Sequence, residues 1–357
     1  LGAVGGKGAS LGEMTGAGLP VPPGFVVTAG SYRSFIETTG IDEELFEAVE
    51  VDPDDSAALA RAERRAEELI LGTEMPEEMR QGILDAYADL GDGDAFVAVR
   101  SSATAEDRPD ASFAGQQETF LNVQGDALIE RIKECWASLF TQRAIYYRGE
   151  QGFDDRDVDI AVVVQQMVDA EKSGVMFTSH PSTGEDRIII EAAWGLGEAV
   201  VSGTVSPDNY VYDRVDAELD EITIADKKVQ MIKDEETGET VEVDVEDDRR
   251  EARVLTDGEI DELVELGKRV EDHYGDPQDV EWAIVDGEVF MLQSRPITTI
   301  DDSEGGEVAE ERETNENDGG DVLVRGLGAS PGIVSGEVRV VKTLDQLDKV
   351  GDGDILV

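Results

Sequence analysis

Apolar residues recur along the chain in two rhythms, and each predicts a different kind of element. In DALIERIKECWASLFTQRAIYYR (126–148), Leu128, Ile132, Trp136, Leu139 and Ile145 return near helical spacing, which predicts one long helix. Residues 54–90 carry the same periodicity among alanines and alternating Glu and Arg. In 256–275, Thr256 with Glu259 forms a capping box, so a helix starts there. Elsewhere the apolar runs are short and unbroken. DIAVVVQQMV (159–168) reads as a strand covered on both faces, and AFVAVRSSA (95–103) as a buried strand that runs into a polar loop. LPVPPGFVVT (19–28) reads as a turn leading into a short strand, while GVMFTSHP and RIIIEAAWGLGE add further strands and a glycine turn.

DVEWAIVDGEVFMLQSRP (279–296) reads as a hairpin around Asp286-Gly287. A two-residue loop puts Glu281 and Gln293 on opposite faces. A three-residue loop (Val285 to Gly287) pairs Ile284 with Glu288. Asp279, Glu281, Met291, Gln293 and Arg295 then share one face, and Val280, Trp282, Ile284, Phe290 and Leu292 the other. Because register follows the buried face, the second arrangement is expected. Its polar side offers carboxylate and amide oxygens with a guanidinium. Such oxygens suit Mg²⁺, and arginine suits a pair of phosphate oxygens. A solvated strand face has the same pattern.

The 301–321 stretch holds ten acidic residues, one basic and no aromatic, which marks a linker. After it, short strands and glycine turns return, and the chain reads as stopping within the start of a second domain. The 357 residues suffice for two or three domains with a large core.

Charge changes this picture most. There are 82 acidic residues against 30 basic, a net charge of −52, spread over the whole chain. Such self-repulsion calls for screening by salt, so a high-salt cytoplasm is expected, and binding to a nucleic-acid backbone is not. The thermal midpoint should therefore rise between dilute buffer and molar KCl; full stability in dilute buffer counts against this. A single cysteine, Cys135, excludes an internal disulfide framework and reads as a small buried residue. No apolar run of membrane-spanning length and no signal peptide is visible, so a soluble cytoplasmic protein is expected, and Leu1 leaves room for a native start before it.

Candidate chemistry begins at GGKGAS (5–10). Lys7 is followed by Gly8 rather than a hydroxyl, and Leu1 stands where a P-loop has its first glycine, so this is not a P-loop. Phosphate contact and an ordinary glycine turn both fit. In VAVRSSATAEDRPDASFAGQQETFLN (97–122), a buried strand delivers Arg100 into a loop of small hydroxyl residues followed by Gly115. That composition suits a lid over a nucleotide as well as a surface ion pair.

Five motifs then occur in one order: GGKGASLGEM, VRSSATAEDRPDASFAGQQETFLN, GVMFTSHPSTG, WGLGEAVVSGTVSPDNYVY and DVEWAIVDGEVFMLQSRP. Together they resemble the nucleotide-binding half of the phosphoenolpyruvate synthase (pyruvate, water dikinase) family, related to pyruvate, phosphate dikinase and rifampicin phosphotransferase. FAGQQETFLN resembles the water-dikinase branch. The resemblance implies an α/β (α+β) ATP-grasp domain over 1–298, with subdomains roughly 1–160 and 161–298. An acidic linker over 299–321 would follow, and 322–357, through GLGASPGIVSGEVRV, would start a swivelling phosphohistidine domain.

It also implies ATP and Mg²⁺ as cofactors. Lys7, on a loop, and Arg100 would contact the polyphosphate, with Arg295 beside them; these three are the expected catalytic residues. Gly115 and Thr119 would belong to the lid. Gln165, rather than Gln166, would lie at the adenine pocket. Glu281 and Gln293 would bind Mg²⁺, and Asp279 would stand on the ribose or metal side. The implied reaction moves the β-phosphoryl of ATP to a histidine and then to pyruvate, giving phosphoenolpyruvate, AMP and phosphate. The family's histidine lies beyond Val357. His180 and His273, the two present, read as structural or exposed. The resemblance therefore implies a chain that binds ATP and Mg²⁺ but is incomplete for turnover alone, and it is compatible with a homo-oligomer at full length. A rifampicin-type or other small-molecule dikinase, or a nucleotide-binding fragment without catalysis, is the alternative.

Overall fold

Strand Ile160–Gln166 is buried on both faces over its first six residues, as its unbroken apolar run requires. In the computed structural model of the chain it lies inside a four-stranded antiparallel sheet. With β1 (Gly24–Val27), β2 (Val97–Ala103), β3 (Thr119–Val123) and β4 (Ile160–Gln166), the order is β1-β4-β2-β3. The structure describes residues 1–104, 107–108, 111–112, 118–234, 237–297, 336, 338–339 and 355–356. Gly115, the proposed linker and most of 322–357 lie outside them.

Helices Ala29–Thr39 and Ala127–Ala137 cover this sheet and Ser56–Gly72 packs on the second of them, with Tyr32, Phe35, Ile70 and Trp136 fully buried in the shared core. Cys135 sits in the same core, and burial pushes its thiol up, away from a nucleophile's range. The long helix expected over 126–148 is two helices, Ala127–Ala137 and Gln142–Gln151, joined by a short 3₁₀ turn. Thr141 breaks it: its backbone is extended and its side chain accepts from the Ala144 N–H, starting a new helix. Residues 54–90 likewise divide, into Ser56–Gly72 and Glu77–Ala88, with Pro76 as the N-cap of the second.

The second sheet has six antiparallel strands: β5 (Lys172–Phe177), β6 (Arg187–Trp194), β7 (Asp208–Asp213), β8 (Glu218–Thr223) and the hairpin β11 (Gln278–Val285) and β12 (Glu288–Pro296). Their order is β8-β7-β6-β5-β11-β12. Between them in sequence lies a separate hairpin, β9 (Val229–Lys233) and β10 (Thr240–Asp244). Helix Asp257–Tyr274 packs on the buried face of the six-stranded sheet through Ile260, Leu263, Val264 and Val270. The expected capping box is formed, with Thr256 accepting from the Glu259 N–H and Glu259 accepting from the Thr256 N–H. Gly174 in β5 has a packing reason, since a Cβ there would stand 1.8 Å from the Glu191 carbonyl oxygen and 2.8 Å from the Trp282 ring.

Both sheets belong to one compact unit, Leu1–Ser179 with Asp186–Ile297. The second unit contains residues 180–185 and, further on, the short parallel pair Val338–Arg339 and Ile355–Leu356. In it, His180 Nδ1 accepts from the backbone N–H groups of Ser182 and Thr183, which is a turn-forming role. The mixed α/β architecture is the class expected from the sequence.

Candidate functional site

Arg100 is the one partly exposed residue in β2, flanked by buried Val99 and Ser101. Pairing on both sides fixes its backbone, with Thr119 opposite in β3 and Val163 in β4. Its side chain therefore leaves the first sheet and reaches the hairpin of the second. There Nη2 donates to Gln293 Oε1 at 2.7 Å and to Glu281 Oε2 at 3.1 Å, while Nη1 donates to the Leu292 carbonyl at 3.3 Å. Nε is buried without a partner.

The hairpin reaches this geometry by a route that differs from expectation. Its loop has two residues, Asp286 and Gly287, both with positive φ, so Val285 pairs with Glu288. A bulge at Leu292, between the Trp282–Met291 and Glu281–Gln293 pairs, then changes the alternation. Without it, a two-residue loop would separate Glu281 and Gln293 onto opposite faces; with it, they stand directly opposite each other. Asp279 and Arg295 form the next polar pair, joined by Nε and Nη2 at 2.9 Å and 2.8 Å. Met291 departs from the expected polar face. It pairs with Trp282 on the buried side, where both are fully enclosed.

One further carboxylate stands here without a motif around it. Glu191 is the lone acid in the apolar run of β6, and the ladder Glu281–Val175–Glu191 sets it on the row of Glu281. Burial raises its pKa, and the Asp279 charge raises it further. Burial also raises Asp279, with Glu281 acting the same way and Arg295 opposing. The signal available in the sequence is an acid at an inward position of a strand.

A cleft of about 290 Å³ opens beside Arg100. Arg100, Thr119, Gln165, Leu196, Glu198 and Glu281 are among the residues that line it. Gln165 is 4% exposed, and its amide nitrogen has no protein partner. Gln166 also lines the cleft.

Lys7 does not line this cleft. It lies in the first turn of helix Gly5–Gly16 rather than on a loop, because Gly5 and Gly8 let that helix approach β2 closely. Gly8 N–H donates to Ser102 Oγ, which donates to the Val4 carbonyl, and a Cβ on Gly5 would stand 2.3 Å from Ser102. Asp279, Gln293 and Arg295 also stand outside the cleft lining, although Gln293 joins it through Arg100.

Glu281 and Gln293 direct one oxygen each at a single cationic nitrogen, so the two oxygens could together hold a cation. Among the described residues no cluster of three or more His, Cys, Asp or Glu could hold a metal by itself. A carboxylate and an amide oxygen suit Mg²⁺ whose remaining ligands come from phosphates and water.

Residues 1–316 match the model of the pyruvate phosphate dikinase AMP/ATP-binding domain. The chain is 53% identical over 363 residues to a probable phosphoenolpyruvate synthase of Methanothermobacter thermautotrophicus, covering 100% of this chain and 52% of that protein. It is 54% identical over 359 residues to one of Archaeoglobus fulgidus, covering 99% and 47%. To the phosphoenolpyruvate synthase of Pyrococcus furiosus it is 46% identical over 400 residues, covering 99% and 48%. The chain thus spans about half the length of these curated relatives. Among its described residues, no helix is long and apolar enough to cross a membrane.

Proposed function

Since the chain belongs to the pyruvate phosphate dikinase AMP/ATP-binding domain family, we propose that it is the nucleotide-binding part of a phosphoenolpyruvate synthase and takes ATP with Mg²⁺. The observation that carries this reading is that Arg100, which gathers Glu281 and Gln293, lines the same cleft as Gln165, whose amide nitrogen has no protein partner.

In this reading the adenine lies against Gln165, and the triphosphate runs toward Arg100 and Thr119. Glu281 and Gln293 hold Mg²⁺, which when bound neutralises charge on the polyphosphate. Arg100 then faces phosphate oxygens, for which its forked donors suit it. Arg295 is 63% exposed and can reach phosphate only by leaving Asp279. Asp279, which holds that arginine, stands on the ribose or metal side. Lys7 reaches the polyphosphate from the first turn of its helix, and Gly115 and Thr119 cover it. Little covalent chemistry is asked of this chain; its residues bind, orient and balance charge.

Water takes the γ-phosphoryl as phosphate, and the β-phosphoryl passes to a histidine supplied by another part of the protein, with release of AMP, and from there to pyruvate. Neither histidine here is placed to carry a phosphoryl group. His180 holds a turn, and His273 stacks edge-on against Tyr274 at the end of its helix. Residues 299–321 serve as a linker and 322–357 as the start of the swivelling domain. The net charge of −52 fits a saline cytoplasm.

Ligand linkage gives the test. Saturating ATP with Mg²⁺ should raise the thermal unfolding midpoint in molar KCl, whereas ATP in EDTA should raise it less. A midpoint indifferent to both contradicts the reading.

A further inference from the structure

Arg100 occupies the place where the proposed function puts Mg²⁺. One nitrogen, Nη2, bonds to both oxygens that would ligate the metal. A guanidinium and Mg²⁺ cannot share that point, because like charges repel strongly there and each oxygen is directed at one centre. Glu281 is also partly withdrawn from water, with a side chain 26% exposed, and a cation beside a carboxylate so placed offsets that desolvation. We propose that Arg100 and the metal are alternative occupants of the Glu281–Gln293 oxygen pair. Arg100 holds the pair when no metal is present and gives it up when metal and nucleotide arrive together.

Three features support the exchange. The β2 backbone is paired on both edges, so the side chain rather than the strand must move. In its present position the guanidinium is incompletely satisfied: Nη1 makes one hydrogen bond, at 3.3 Å, and Nε is buried with none. A second set of acceptors would satisfy it better, and polyphosphate oxygens on the cleft side provide that set. The residues that line the cleft beside Arg100 leave it a direction in which to go.

The consequence is thermodynamic. Metal alone must evict Arg100 without offering it another anion, so metal alone binds poorly. Nucleotide supplies that anion, so metal and nucleotide each tighten the other's binding by the same factor. Arg100 would thus serve both as a phosphate contact and as a stand-in for the metal, and this inference rests on Glu281 and Gln293 being the metal pair.

Mn²⁺ is the probe, followed by electron paramagnetic resonance in molar KCl without nucleotide. Arg100→Met should bind Mn²⁺ about tenfold more tightly than the parent, within the usual range of coupling factors, and should lose that gain when combined with Glu281→Gln. The same Arg100→Met change should weaken ATP binding, a split in direction that a merely structural role does not produce. Equal or weaker Mn²⁺ binding by Arg100→Met, still dependent on Glu281, overturns the exchange and leaves the metal pair standing. Mn²⁺ binding indifferent to Glu281 in every chain overturns the metal pair and the exchange with it. Should Arg100→Met fail to fold, the intact chain decides through the ¹⁵N signals of its arginine side chains. Replacing EDTA by saturating Mg²⁺ in the ATP-bound chain should displace the Arg100 signal, and an unmoved signal overturns the exchange.

Discussion

Replacing Glu281 with Gln lowers affinity for ATP in the presence of Mg²⁺ by about 100-fold, or ~2.7 kcal/mol, and leaves affinity in EDTA nearly unchanged. The substitution keeps the size of the side chain and its place opposite Gln293, so packing of the hairpin is preserved. It removes the negative charge from the carboxylate that the structure directs, with Gln293, at a single cation. Mg²⁺ uses few protein ligands and depends on their charge, so one carboxylate is a large share of its site. In EDTA the ligand role is not in use, and Arg100 merely exchanges one oxygen partner for a neutral one. Isothermal titration of parent and variant, with Mg²⁺ and with EDTA, checks both halves. Equal losses under the two conditions would mean that Glu281 acts only through Arg100.

The largest effect on stability is expected outside the cleft lining, at Asp208. Asp208 and Lys227 form a fully buried ion pair, with Nζ at 2.5 Å from Oδ1. Asp208 also accepts from the backbone N–H groups of Ala225 and Val254 and from the Tyr210 hydroxyl. One carboxylate thus ties β7 to the segments on either side of the β9–β10 hairpin. Asp208→Asn leaves an ammonium buried without its counter-charge, which costs about 3–5 kcal/mol. The thermal midpoint should fall by about 10 °C for a unit of this size. Salt should not restore it, because screening scarcely reaches a buried pair. Thermal unfolding followed by circular dichroism reads the shift. The double change Asp208→Asn with Lys227→Met should recover part of it, because no ammonium is then buried without a counter-charge and the amide oxygen still accepts hydrogen bonds.

Strand and helix identities are legible in the sequence wherever one periodicity rules. The unbroken run of β4 and the Thr256–Glu259 cap each carry their own signal, and both are present in the structure. Breaks are harder to read. Thr141 ends one helix and caps the next within an apolar pattern that continues through it. The hairpin shows the limit most plainly. Alternation over 279–296 places Glu281 and Gln293 together, as the structure does, but it does so by way of a longer loop. Asp286-Gly287 makes the tighter loop, and the bulge at Leu292 repairs the phase. A bulge leaves no distinct mark in an alternating sequence, because any one residue can be the extra one. Met291 leaves its expected face for the same reason.

Of the candidate site, Arg100, Thr119, Gln165 and Glu281 line one cleft, and Gln293 joins through Arg100. Their spacing of up to 193 positions along the chain is a product of two sheets meeting, which no local pattern encodes. The ordered motifs make them candidates; folding makes them neighbours. Lys7, expected on a loop, stands in a helix whose glycines serve its contact with Ser102. Glu191 is invisible to motif reading because a single acid in a strand has no pattern around it.

A nucleotide site completed by a divalent cation is tested most directly by calorimetric titration of ATP into the intact chain. The titration is run in molar KCl, with Mg²⁺ and again with EDTA. One ATP per chain, bound at least about tenfold more tightly with Mg²⁺, is the predicted result. Binding of equal strength in EDTA, or none in either condition, would contradict such a site.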